Sequence, residues 1–119
     1  DKYIFVHSWI PVKMNSDWPL YAISNYNGFS YREDWRLADD FAWEEATWGC
    51  PIKMFVNKLY PEGKTIVCGH WDAASFHKYF EGVSDDGRDN NKTYIGENLI
   101  ALDATTVLSK FCNVYKIIC

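Results

Sequence analysis

The 119-residue chain lacks the features that would tie it to several common classes. No run approaches the roughly 18 apolar residues of a membrane span. No basic stripe is present, and 16 acids against 12 lysines and arginines give a net charge of −4. Nucleic-acid binders ordinarily carry a basic face, so nucleic acid is an unexpected partner. The four cysteines, Cys50, Cys68, Cys112 and Cys119, contain no Cys-x-x-Cys pair, which argues against a zinc knuckle. Residues 1–8 already read as a strand, so no secretory signal is expected there. Without a secretory context the sequon Asn91-Lys92-Thr93 carries little meaning. A reduced, cytoplasmic protein without a membrane partner is the expectation, with Cys68 and Cys112 buried as free thiols. There is no internal repeat and no low-complexity segment.

Aromatic residues are abundant. They make up 18% of the chain and include six tryptophans. At this length residues 1–119 form one domain with one core. Trp is rarely fully buried, so several are expected in grooves or at contacts.

The apolar run Tyr3-Ile4-Phe5-Val6 ending at His7 reads as a buried strand. Residues 8–38 show no sustained period and are expected to be a long aromatic loop, interrupted by Pro11, Pro19 and the turn pair Asn27-Gly28. Asp39 or Asp40 can cap a helix from Phe41. Pro51 suits the first position of a second helix through about Leu59, with Ile52, Phe55, Val56 and Leu59 on one face. Pro61-Glu62-Gly63 is a turn, and Lys64–Gly69 is a second strand. Residues 73–80 suit a helical turn, and 81–93 a polar loop. Asn98–Asp103 and Phe111–Ile118 are expected as third and fourth strands, joined by a short loop over 105–110. The predicted fold is α+β: a mixed four-stranded sheet with helices on one face.

Two of these strands end alike, one at His7 and the other in Gly69-His70-Trp71-Asp72. Functional groups collect at strand carboxyl ends in open α/β sheets, so parallel neighbours would set His7 beside His70. Two imidazoles with a carboxylate close by suit zinc, iron or manganese. The plainer alternative is that both rings only hydrogen-bond to loops.

The segments "YIFVHSWIP", "DWRLADDFAWEEATWGCPIKMFVNKLYPEGKTIVCGHWD" and "LIALDATT" resemble the carboxyl-terminal half of a calcineurin-like metallophosphoesterase, most closely its bacterial and phage branch. The resemblance implies half of a two-sheet sandwich that binds two metal ions at its edge. It maps metal ligands onto His7 and His70, and a third onto Asp72, where the family pattern has a second histidine. Thr47 and Cys50 stand where the family pattern has Arg and Asn. The family's amino-terminal motifs, which supply the bridging aspartate, do not occur in these residues. A bridged two-metal centre stabilises both the attacking and the leaving oxygen, and His7, His70 and Asp72 alone would hold at most one divalent ion. The expected function is therefore a degenerate, non-catalytic half-domain that binds a protein partner, such as a phage or mobile-element inhibitor of a host factor, or a homodimer. The alternative is a metal-dependent phosphoesterase or nuclease completed by another chain. Trp9, Trp18 and Trp35 are the expected partner-binding residues, and apolar sheet surface is expected to need a cover.

Overall fold

The computed structural model describes residues 2–14 and 28–118. Its main sheet has the order β1-β4-β6-β5, built from β1 (Tyr3–Val6), β4 (Thr65–Asp72), β6 (Leu99–Asp103) and β5 (Tyr94–Gly96). The pairs β1–β4 and β4–β6 are parallel, and β5 runs antiparallel to β6. The apolar runs explain the centre: a parallel strand buried on both faces reads as continuous hydrophobics, and Thr65 through Cys68 are all buried. A separate antiparallel pair joins β2 (Lys13–Met14) to β3 (Phe29–Ser30). The architecture is α+β with a mixed four-stranded sheet, as the sequence predicts.

Both parallel crossovers step in the same direction across the sheet. Right-handed crossovers then place their helices on the same face. These are α1 (Asp40–Thr47) and α2 (Pro51–Val56) between β1 and β4, and α3 (Ala73–Glu81) between β4 and β6. The core joins Ile4, Ile66, Cys68, Leu99 and Ala101 of the sheet to Ile52 and Met54 of α2 and Phe76 of α3. Each fully buried side chain of the larger kinds contributes about 1.5–3 kcal/mol. The opposite face carries the register-aligned row Phe5, Val67, Ile100 and Ile95. Its two central members are buried, and only the edge residues Phe5 and Ile95 are exposed, so the middle of this face is already covered.

Helix ends follow local chemistry. The Asp39 side chain accepts from the Ala42 N–H at 2.9 Å and caps α1. Pro51 opens α2, where its missing N–H costs nothing. That helix stops at Val56, short of the expected Leu59, because Lys58 turns left-handed at φ 57° and the Leu59 N–H returns to the Met54 carbonyl. Gly82 ends α3 at φ 86°, a conformation that glycine adopts without steric cost.

Four expectations are corrected. The 8–38 segment is not simply a loop. Its described part holds β2, β3 and a short 3-10 turn at Trp35–Leu37, and Trp9, Ile10, Val12, Phe29 and Trp35 join the core. Phe111–Ile118 is not a strand. The place beside β6 is taken by Tyr94–Gly96, which returns through the two-residue turn Glu97-Asn98 with Asn98 at φ 64°. The tail is instead held where the Asn113 amide donates to the carbonyls of Asn91 and Leu102, and Cys112 is exposed rather than buried. Residues 105–110 are not a plain loop either, because α4 (Thr106–Ser109) forms one helical turn there, between Thr105 and Lys110 in left-handed conformations. Among the described residues no helix is long and apolar enough to cross a membrane.

Trp9 is 1% exposed, and its indole N–H donates to the Leu59 carbonyl at 2.8 Å. Trp9→Phe leaves that buried carbonyl unpaired and is expected to cost about 1–3 kcal/mol in urea unfolding. Trp9→Ala adds a cavity and should reach about 3–5 kcal/mol. Leu37→Ala, at an exposed position, should stay within about 0.5 kcal/mol of the parent chain.

Candidate histidine-pair site

The parallel β1–β4 pairing builds the site. Register runs from Tyr3 opposite Thr65 to Val6 opposite Cys68. One residue further, the Gly69 N–H donates to the His7 carbonyl at 2.9 Å. The two chains therefore stay together to the point where the histidines emerge.

At that point β4 is irregular. It uses two more residues from Cys68 to Asp72 than β6 uses from Ala101 to Asp103. His70 sits within this bulge at φ 64°. A left-handed, non-glycine residue costs about 1–2 kcal/mol. Bulges re-aim side chains, and here the result is that His70 Nδ1 lies 3.1 Å from His7 Nε2. The ring centroids are 4.8 Å apart. One ring must donate its N–H and the other accept, so the contact requires at least one neutral imidazole. Trp48, just past α1, meets His70 edge-on at 5.6 Å.

Burial first, and then the nearby His7, push the His70 pKa below its ordinary value, while the Asp103 carboxylate opposes them. Asp103 ends β6 next to β4, and its Oδ1 also accepts from the Thr105 N–H. It is the carboxylate whose charge acts on His70, and the sequence reading missed it. The available signal was that "LIALD" ends at a strand terminus as "YIFVH" and "TIVCGH" do.

Asp72 stands elsewhere in the chemistry. It is the N-cap of α3 and accepts from the Ser75 N–H at 2.8 Å, and both its oxygens accept from the Ser75 hydroxyl. Among the described residues no group of three His, Cys, Asp or Glu side chains is gathered for a metal ion. The structure brings His7 and His70 together and uses Asp72 as a helix cap.

The tryptophans divide differently from the expectation. Trp9 and Trp35 are core residues and offer no contact surface; Trp18 lies outside the described residues. Trp9 satisfies its N–H internally, while Trp35 packs edge-on against Trp43 and lies beneath the Arg36 guanidinium. Among the described residues the exposed indoles are Trp48 and Trp71. His77, outside the pair, contacts Glu81 within α3 and ties the helix to the following loop through the Lys92 carbonyl. Burial pushes the Cys68 thiol up to about 12, so it is an inert core group.

Comparison of the chain with protein-family models, with curated proteins and with solved structures finds no match in any of the three. None of the three identifies a relationship to metallophosphoesterases.

The lowered His70 value fixes a pH response. Between that value and the ordinary 6.5, the unfolded chain binds more protons at this residue than the folded chain does. Stability is then full above about pH 6.5 and is lost as pH falls through the window. His70→Asn tolerates the left-handed backbone and removes the titration. Thermal melts from pH 7.5 to 5.5 should show a smaller loss of Tm in His70→Asn than in the parent chain. Equal slopes would show that His70 does not carry the effect.

Proposed function

We propose that the chain is a metallophosphoesterase-like half-domain that acts without turnover, by docking to another protein in the cytoplasm, as a phage or mobile-element inhibitor of a host factor would. The observation that carries this reading is the use of Asp72. The resemblance assigns this residue to metal, yet both its oxygens are engaged by Ser75 at the start of α3. Two-metal hydrolysis needs carboxylates that bridge and neutralise, and the paired imidazoles supply none. The exposed Trp48 beside His70 adds the kind of aromatic anchor found at protein interfaces. With manganese and an aryl phosphodiester, turnover is expected to stay at the level of a protein-free blank. Hydrolysis at least tenfold above the blank and abolished by His70→Asn would sink the reading.

A second reading, a metal-dependent phosphoesterase or nuclease completed by another chain, has one observation in its favour. His7 Nε2 and His70 Nδ1 lie 3.1 Å apart at the strand ends, and imidazole nitrogens are common metal ligands. His7 and His70 would hold one zinc, iron or manganese ion. Asp72 joins only by leaving its cap, at a cost of about 1–2 kcal/mol. A bound ion would supply a Lewis acid at the sheet edge. Metal analysis of protein purified without chelator separates the cases. The second reading expects about one ion per chain, lost in His7→Gln and in His70→Asn; the first expects the same trace content in all three.

A further inference from the structure

Phe41 is the second residue of α1 and Trp48 its C-cap, seven residues on. Two helical turns nearly restore the starting direction, so both rings share one face, with Glu44 between them. That face looks into water: Phe41 is 60% exposed and Trp48 54%, while Glu45 and Ala46 are buried. Leu37, just before the helix, is 84% exposed. Amphipathic helices normally turn such residues inward.

The sequence around this face is acidic, and the cations near it are Lys13 and Arg32, which line a pocket with Phe41. Residues 32–48 hold Glu33, Asp34, Asp39, Asp40, Glu44 and Glu45 against Arg32 and Arg36, a net −4 that equals the charge of the whole chain. Neither arginine leaves its cation for a newcomer. Arg32 pairs with Asp34 at 2.8 Å, and Arg36 lies over the Trp35 ring at 4.3 Å.

We propose that the outward face of α1 docks an amphipathic segment of a different protein, one that carries lysine or arginine beside apolar side chains. This rests on the protein-binding reading above and names the partner's chemistry. A cation over Glu44 gains the carboxylate and two flanking π faces, while neighbouring apolar groups cover Phe41 and Leu37. A second copy brings the same net −4 against itself, which repels. Nucleic acid and anionic lipid are disfavoured by the same sign.

The test is fluorescence anisotropy of a labelled 14-residue amphipathic leucine/lysine peptide with the whole chain. Saturable binding is expected. A leucine/glutamate peptide of the same pattern, and a lysine-only peptide, should each bind at least tenfold more weakly. Phe41→Ser with Trp48→Ser should weaken binding at least tenfold, and Glu44→Lys at least fivefold. Val107→Ser with Val114→Ser, which removes exposed apolar groups elsewhere, should leave it unchanged. Unaltered circular-dichroism melts verify that the variants fold. The proposal is overturned if the lysine-only peptide binds as tightly as the amphipathic one, or if the Val107/Val114 variant loses as much affinity as the Phe41/Trp48 variant. It also falls if sedimentation finds a dimer that the Phe41/Trp48 variant turns into monomer, because a second copy then occupies the face. Absent peptide binding in a protein without turnover overturns this inference alone. Metal-dependent turnover overturns the non-catalytic reading and leaves a positive peptide result standing.

Discussion

The parallel pairing of β1 with β4 is the constraint on which the rest depends. It joins Tyr3 to Thr65 and Val6 to Cys68, so the whole segment between the strands must close as one crossover. That requirement explains why residues after His7 turn inward. Ser8, Trp9 and Ile10 are essentially inaccessible, and the Ser8 hydroxyl and Trp9 indole reach across to the Gly49 and Leu59 carbonyls. Buried donors need acceptors, and these two bonds fix both helical segments against the strand. The histidine pair is a by-product of the same pairing, His7 standing one residue and His70 two residues beyond the last ladder contact.

The end of β4 shows two demands on few residues. The bulge turns His70 toward His7, and two residues later Asp72 must start α3. Capping and metal ligation both use a carboxylate. The cap is worth about 1 kcal/mol, a small quantity beside the binding energy of a structural ion. Geometry therefore decides the role of Asp72. In this chain that geometry gives Asp72 three contacts with Ser75, and gives His70 the field of Asp103 on the neighbouring strand.

Much of the fold was legible where local pattern and global role coincide. Apolar runs gave β1, β4 and β6. Asp39 and Pro51 marked the two helix starts, and like strand endings brought His7 to His70. The failures have a common cause. "FCNVYKII" has good strand composition, but a strand also needs a vacant neighbour, and the short Tyr94–Gly96 segment already occupies that edge of β6. Pattern shows what a segment can do and is silent about which partner is taken. The same limit applies to Trp9 and Trp35, whose abundance of aromatic neighbours in sequence suggested a surface when their packing made a core.

How the aromatic residues are allotted bears on function. In the described part of the 8–38 segment the aromatics are consumed in folding: Trp9, Phe29 and Trp35 are in the core cluster, and Tyr31 packs against it. Their burial closes the crossover, so none can be withdrawn without cost to stability. Phe41 and Trp48 contribute no such closure, since both stay largely in water. An exposed ring in a chain this small forgoes most of the roughly 1.5–3 kcal/mol that burial would provide. Two of them on one helix face, in the most acidic segment of the chain, leave that stabilisation available to a partner. Acidic flanks repel like charge on another copy and attract a cationic surface.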